Sequence, residues 1–269
     1  MGPNLNQGTP PRVSACIITL NEEDRIGDCL RSAVWCDEVV LVDSHSADHT
    51  RGVAADMGAR VIERDWPGHV KQKEFAIRAA THDWVMCIDA DERVSPGLRA
   101  EILALRDTGF PGTAGWRMPR MSCYLGRWIQ HGTWYPDLQL RLFDRRRGCW
   151  GGHDPHDRVE LDGPVGRLRQ PLLHYPYRTF GEHLRTIDSY TTIMARGLAE
   201  RGRRASVADL VLRPAGRFLK FYVLKRGFLD GWRGLLLAYL AAHYVRLKYA
   251  KLLIEQRPTA PPPDPPPTR

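Results

Sequence analysis

Cysteine is scarce and unpaired here: six among 269 residues, at Cys16, Cys29, Cys36, Cys87, Cys123 and Cys149, none in a C-x-x-C arrangement. No histidine cluster completes a zinc pattern. A disulfide framework and a structural zinc are both excluded, and a reducing compartment is the simplest setting. Long apolar runs are also missing. The longest, Leu235–Ala242, is far short of the ~20 residues needed to span a bilayer. The opening MGPNLNQGTPPR contains no apolar stretch that would read as a signal peptide, and Asn6 breaks the myristoylation pattern. No glycine-rich phosphate loop follows the first apolar run, which argues against a nucleotidyltransferase. No nucleic-acid motif occurs, so nucleic acid is not expected as a partner.

What is present is ordinary in bulk and uneven in place. Hydrophobic residues make up 43% and charged residues 26%, as in a globular protein, and the length suits one large domain or a domain with an appendage. The formal net charge is +8, and all of it sits between Arg213 and Arg257, where ten Lys or Arg face only Asp230 and Glu255. An anionic partner is expected for that segment alone.

Residues 1–11 read as a flexible leader. Strands then alternate with helices: Val13–Thr19, helix Asp24–Val34, Glu38–Val42, helix Ala47–Met57, Arg60–Ile62, helix Val70–Ala80, Trp84–Ile88. This pitch predicts a parallel sheet with helices on both faces, and ligands in such sheets bind beyond the carboxyl ends of the strands. Cys16 and Cys87 fall inside apolar strands and read as core. From Gly109 to Pro155 the chain is rich in Gly, Pro, Trp and Arg. Leu138–Phe143 and Arg167–His174 read as strands, Phe180–Gly202 as a helix and Arg217–Gln256 as helical, apolar and basic. The tail 258–269 is Pro-rich and predicted to be disordered.

Polar clusters follow three of the strands: Asn21-Glu22-Glu23, Asp43-Ser44-His45-Ser46-Ala47-Asp48 and Asp89-Ala90-Asp91-Glu92. All three belong at one sheet edge. Asp89 and Asp91, two apart at the mouth of a buried strand, can both reach one hard cation such as Mn2+ or Mg2+, which would neutralise a departing diphosphate. The alternative is a surface turn with a helix cap. Asp43 is placed to accept hydrogen bonds from a base or ribose, while Ser46 or Asp48 would serve as a cap. Lys73, on the third helix, either bridges phosphates or is one more solvated lysine.

Together, Ile17-Ile18-Thr19-Leu20-Asn21-Glu22, Val42-Asp43-Ser44-His45-Ser46-Ala47-Asp48-His49-Thr50, Gln72-Lys73 and Asp89-Ala90-Asp91-Glu92 resemble the successive motifs of family 2 glycosyltransferases. The likeness extends to the bacterial lipopolysaccharide-core β-glucosyltransferase group through Gly126-Arg127-Trp128-Ile129, Trp134-Tyr135-Pro136-Asp137, Arg141-Leu142-Phe143, His156-Asp157-Arg158-Val159 and Leu173-His174-Tyr175. It covers roughly residues 12–250. It implies a GT-A fold and metal-assisted inverting transfer from a nucleotide sugar, a UDP-hexose being expected, to a lipid-linked, lipopolysaccharide or other glycan acceptor. By the same resemblance Thr19, Asn21, Glu22, Asp43, Lys73 and Asp89 would hold the nucleotide, and Asp89, Asp91 and His174 the metal. Ser44 stands where many relatives have Asp, and Asp157 where the subgroup commonly has Glu.

Inverting transfer needs one general base opposite the leaving group. Asp157 and Asp137 are the candidates, with Asp157 favoured; either would otherwise be a surface carboxylate paired with a nearby Arg. Trp116, Trp128, Trp134, Tyr135 and Trp150 are expected to supply one or two rings to an acceptor site, the rest filling core. Arg141, Arg145, Arg146 and Arg147 would meet phosphorylated acceptors or form a solvated turn.

The expected organisation is an α/β GT-A domain over 12–215 followed by basic amphipathic helices over 216–257. Those helices carry Phe218, Phe221, Tyr222, Phe228, Leu229, Trp232, Leu235 and Tyr239 among Arg217, Lys220, Lys225, Arg226, Arg233, Arg246, Lys248 and Lys251. This pattern suits docking on an anionic membrane surface, placing the enzyme in the cytoplasm on the inner face of the cell membrane. The alternatives are packing on the catalytic domain or a dimer contact. The competing functional class is a basic membrane- or nucleic-acid-binding protein on a nucleotide-binding fold, without transferase activity.

Overall fold

The computed structural model describes residues 9–153 and 156–256. The expected leader therefore lies outside the described residues except for positions 9–11, and the expected tail lies wholly outside them.

In chain order the elements begin β1 (Val13–Thr19), α1 (Ile26–Ala33), β2 (Glu38–Asp43), α2 (Thr50–Asp56), β3 (Arg60–Glu63), α3 (His69–Ala79), β4 (Trp84–Asp89), β5 (Glu92–Val94) and α4 (Pro96–Asp107). There follow β6 (Gly115–Tyr124), β7 (Arg127–Trp128), β8 (Asp137–Asp144), β9 (Gly148–His153), β10 (His156–Leu161), β11 (Val165–Arg167) and β12 (Leu172–His174). The C-terminal part is helical: α5 (Phe180–Glu200), α6 (Val207–Leu219), a π-helical turn Lys220–Leu224, a 3-10 turn Gly227–Asp230 and α7 (Gly231–Glu255).

By compactness the chain forms two units. The first comprises 1–123 and 134–176, the second 124–133 and 177–269. The cut differs from the expected division at 215, because α5 joins the C-terminal helices. Ala195 of α5 is buried with Tyr249 and Leu252 of α7, and Lys251 Nζ of α7 bonds Asp188 Oδ1 and Thr191 Oγ1 of α5 at 2.7 and 2.9 Å. Lys251, expected on the basic outer stripe, is spent on this contact.

The first unit is built on a sheet of order β3-β2-β1-β4-β8-β6-β12-β5. β1 runs parallel to β2 and β4, whereas β8 is antiparallel to β4 and β6. Every residue of β1 is buried, which a strand covered on both faces requires. Alternation assigns its side chains to two layers. Val13, Ala15 and Ile17 pack with Ile26, Cys29, Leu30 and Ala33 of α1 and with Leu98 and Ile102 of α4. Cys16 and Ile18 pack on the other side with Val40, Val42, Cys87 and Ala76 and Ile77 of α3. Truncating Ile17 to Ala would cost about 2–5 kcal/mol.

Boundaries follow local hydrogen bonding. α2 starts at Thr50 rather than the expected Ala47: residues 47–49 form a bend in which Asp48 Oδ1 accepts the Thr50 N–H at 3.0 Å. The expected strand Arg167–His174 is two strands. Its middle leaves the ladder, since the N–H groups of Arg169 and Gln170 go to the Glu101 carboxylate at 3.0 Å. The stretch Arg217–Gln256, expected to be helical, is divided at Arg226, whose left-handed φ of 55° ends one segment before the next begins. The region from Gly109 to Pro155, where β8 alone was expected, also contains β6, β7 and β9 among the described residues.

Candidate functional site

The parallel register of the first unit gathers the motif residues. Thr19 lies level with Asp43, and Ile18 with Asp89, so the carboxyl ends of β1, β2 and β4 form one edge. The loops after β1 and β2 are tied together there. Asn21, at a left-handed φ of 55°, donates its N–H to Ser46 Oγ at 2.8 Å, and its Oδ1 accepts the Ala47 N–H at 2.8 Å. Fully buried Asp43 accepts the Ser46 N–H at 2.8 Å and the Ser46 hydroxyl. The Glu22 N–H donates to Thr50 Oγ1 at 2.8 Å. The Thr19 hydroxyl is buried and finds no hydrogen-bond partner among the described residues, a state that a ligand or water would relieve.

A second group forms around Lys73. It is buried on α3, not solvated, and its Nζ lies 3.0 Å from both Asp89 Oδ1 and Asp157 Oδ2. Trp150 lies beneath, its ring centroid 4.8 Å from Nζ, and donates its indole N–H to the same Asp157 oxygen at 2.8 Å. Burial raises the Asp157 carboxyl pKa, but the Lys73 charge and these hydrogen bonds more than cancel that effect, so it lies below the usual carboxylate range. Both bonds use Oδ2; Oδ1 carries none among the described residues.

Arg141, in the apolar strand β8, reaches Asp89 Oδ2 and Glu92 Oε1, each at 2.8 Å. Glu92 is fully buried, accepts the Asp89 N–H on Oε2 at 3.0 Å and pairs with Arg120 at 3.0 Å. Burial would raise the Asp89 carboxyl, but Lys73 and then Arg141 hold it well below the usual range. Arg120 also pairs with Asp137 at 2.7 Å, and Gln139 donates to Asp137 Oδ1 at 2.7 Å.

Asp91 and His174 form a third group. Asp91 Oδ2 and His174 Nε2 stand 3.4 Å apart, and His174 Nδ1 is bonded to Ser122 Oγ at 2.9 Å. Among the described residues no cluster of three or more His, Cys, Asp or Glu side chains makes a ready cation cage. The oxygen and nitrogen of Asp91 and His174 are nevertheless spaced as neighbouring ligands of one cation. Mg2+ and Mn2+ sites commonly complete such a partial set with substrate phosphate oxygens, so the residues fit a shared metal.

A cavity of about 490 Å³ opens on the Lys73 group. Asp157 and Trp150 line it; Asp137 does not. Of the aromatic residues expected at an acceptor site, Trp150 therefore reaches the cavity, while Trp116 packs against the core. Of the four arginines expected to meet phosphates, Arg141 alone reaches it. Arg145 binds the carbonyls of Ile77 and Arg78 at 3.3 Å, and Arg146 pairs with Asp83 and Asp144 at 2.9 and 2.7 Å. Sequence reading left Glu92, Arg120 and Ser122 without roles. A charged residue inside an apolar strand, as in Leu140-Arg141-Leu142-Phe143, was the available signal for Arg141.

Strand mouths that present carboxylates, backed by the buried Lys73 and Arg141, suit a sugar-transfer enzyme of GT-A type. The chain belongs to glycosyl transferase family 2, whose family model matches residues 14–159. It is 31% identical over 255 residues to the lipopolysaccharide core biosynthesis glycosyltransferase LpsC of Rhizobium meliloti, covering 88% of this chain and 93% of that one. It is 29% identical over 254 residues to an uncharacterised glycosyltransferase of Rickettsia typhi, covering 90% and 86%. Its fold matches that of the mannosyltransferase PcManGT from Pyrobaculum calidifontis, solved with GDP-Man and Mn2+, with a TM-score of 0.54 at 15% identity over 93% of this chain and 89% of that one. The chain is thus a glycosyltransferase, and the competing class of a binding protein without transferase activity is set aside.

Proposed function

We propose that the protein transfers a hexose from a nucleoside diphosphate donor, UDP-hexose in the first instance, to a glycan acceptor of the lipopolysaccharide core kind, with inversion at the anomeric carbon. The observation that carries this reading is Asp157, kept ionised in the cavity wall by Lys73 and Trp150 with one oxygen left over. In the proposed step Asp157 Oδ1 takes the proton of the acceptor hydroxyl. The acceptor oxygen bonds to the anomeric carbon as the bond to the diphosphate breaks, and the nucleoside diphosphate leaves with the electron pair. Asp137 is the weaker candidate, since Arg120 and Gln139 engage both of its oxygens and it does not itself line the cavity.

Asp91 and His174, with Asp89, would hold Mn2+ or Mg2+, and a cation there would supply charge neutralisation for a diphosphate leaving group. Thr19, Asn21, Glu22 and Asp43 would form the nucleotide end. Asp43 and Asn21 would act by fixing the loop, and the Thr19 hydroxyl by direct contact. The LpsC likeness supports the acceptor class, and the PcManGT complex supports a nucleotide sugar bound with Mn2+. Calorimetric titration of UDP, GDP and their hexose conjugates, with and without Mn2+, tests the reading. Tight binding of one diphosphate that disappears in EDTA and in Asp91→Asn is expected; unchanged affinity in EDTA would overturn the metal assignment.

We further propose that the second unit docks on anionic membrane. Among its described residues no helix is long and apolar enough to cross a bilayer. Leu219, Val223, Leu224, Phe228 and Leu229 are nevertheless exposed, as are Trp232, Leu235 and Tyr239 of α7. Lys220, Lys225 and Arg226 lie exposed in the same stretch, and none has an acidic partner among the described residues. Apolar groups interleaved with cations suit the boundary between headgroups and acyl chains.

A further inference from the structure

The cavity beside Asp157 holds more positive charge than the transfer step uses. Lys73 and Arg141 are consumed by Asp89 and its neighbours, and Arg120 by Glu92 and Asp137. Arg117, from β6, and Arg158, from β10, also line the cavity. Arg117 is exposed and its guanidinium has no carboxylate partner among the described residues. Among the described residues Arg158 pairs with Glu160 alone, at 3.1 Å, and both side chains of that pair are more than half exposed, at 73% and 51%. Such a pair is worth little in water and yields readily to a better anion. The cavity wall thus presents two available guanidinium groups, Arg158 on the strand that carries Asp157 and Arg117 on β6, and its volume lies in the range of sugar-sized ligand sites.

We propose that this cavity receives an acceptor sugar carrying a carboxylate or phosphate, gripped by Arg117 and Arg158, with its reacting hydroxyl turned to Asp157. The inference rests on the transferase reading for what the bound sugar undergoes, but not for the anion site itself. Guanidinium is the fitting group, because its planar fork binds carboxylate and phosphate through paired hydrogen bonds. A neutral sugar could offer the two guanidinium groups hydroxyl oxygens but not the stronger charge-assisted, paired contact. The selectivity would therefore lie in the acceptor's charge and not in its ring alone.

The test uses the full chain, saturated with UDP and Mn2+ so that the donor phosphate position is filled. It is titrated with D-glucose, D-glucuronate and D-glucose 6-phosphate, with binding followed by ligand-observed NMR. At least one charged sugar is expected to bind roughly tenfold tighter than glucose, as one charge-assisted contact allows. Which of the two is preferred separates carboxylate from phosphate. The advantage should vanish in Arg117→Ala/Arg158→Ala, checked for folding by thermal melting, and return in part in Arg117→Lys/Arg158→Lys. Equal affinity for neutral and charged sugars, no binding by either charged sugar, or a charged-sugar preference that survives the double alanine variant would each overturn the proposal. The same titration without UDP reads the arginines alone, so a failure of UDP to bind would strike the transferase reading and leave the anion site standing.

Discussion

The two units treat charge and apolar surface in opposite ways. In the first, Lys73, Arg141, Asp89 and Glu92 are drawn into the sheet edge and paired with one another, while apolar side chains fill the two layers around β1. In the second, Lys220, Lys225 and Arg226 stay outside and apolar side chains stay with them: Leu224 is 76% exposed, Trp232 59% and Tyr239 58%. Withdrawing ions from water costs several kcal/mol each before their mutual attraction returns part of it. Exposing large apolar groups forgoes about 1.5–3 kcal/mol apiece. Each unit thus carries a local penalty, of a different kind, and the kind indicates the use. Internal ion pairs set protonation states for chemistry, and an exposed apolar surface with unpaired cations awaits something to cover it.

The strongest way to break the comparison is to remove the ion that the first unit is arranged to keep. Asp157→Asn should bind donor and metal yet lose transfer by roughly two to four orders of magnitude, measured as nucleoside diphosphate release in the presence of acceptor. If Asp137→Asn loses activity instead and Asp157→Asn keeps it, the two carboxylates exchange roles. In wild type the Asp157 shift is downward, so this carboxylate stays ionised at neutral and mildly acidic pH. Its contribution should fade only as pH falls through and below the usual carboxylate range.

A smaller loss is expected one step back from the proposed metal site. Ser122 fixes the ring of His174 through Nδ1. Partners of metal-binding histidines typically contribute 10–100-fold to affinity, so Ser122→Ala should weaken Mn2+ binding to the UDP complex by about that factor, read by electron paramagnetic resonance. Unchanged Mn2+ affinity would detach Ser122 and His174 from the metal.

How much of this was legible follows from the separation of the partners in sequence. β1, β2, β4 and α3 fall within a residue or two of their expected limits, because apolar runs and helical spacing are local signals. The acidic residues of the strand mouths were visible for the same reason. Ser122, Arg120 and Arg117 were not, because their positions depend on β6 pairing with β8 and β12, and β6 was hidden in a stretch dense with Gly, Pro and Arg. Pairing between segments that lie far apart in the chain leaves no periodic trace. The exposed face of the second unit was legible as a stripe, but not its break at Arg226, which depends on one left-handed residue.

For the second unit, point substitution is the cleaner probe, since ending the chain near Arg213 would cut through α6. Lys220→Gln/Lys225→Gln/Arg226→Gln should weaken flotation with anionic vesicles about fivefold per charge removed, an effect that shrinks as salt rises. Trp232→Ser/Leu235→Ser/Tyr239→Ser should remove the salt-resistant part. Flotation unaffected by either set would leave this surface as a contact between protein chains.

The mildest effect should appear in acid. Burial lowers the pKa of His183, in the second unit, to about 4, while the unfolded chain takes up that proton near the ordinary ~6.5. Stability from this neutral ring is complete above pH ~6.5 and declines as pH falls toward 4. The melting temperature should drop across that window, and the drop should be shallower in His183→Gln. An equal slope in both proteins would show that the ring does not report on folding.

Glu92 bears on the timing of order. Its buried carboxylate holds the Asp89 N–H and two guanidinium groups, so the turn bearing Asp89 and Asp91 takes its shape during folding, before any donor arrives. Entropy that a loose turn would surrender at each encounter is surrendered once, when the chain folds. A donor meeting this edge need not recruit disordered backbone. Substituting Glu92 should therefore weaken binding mainly through its entropy, with the atoms that touch the ligand unchanged.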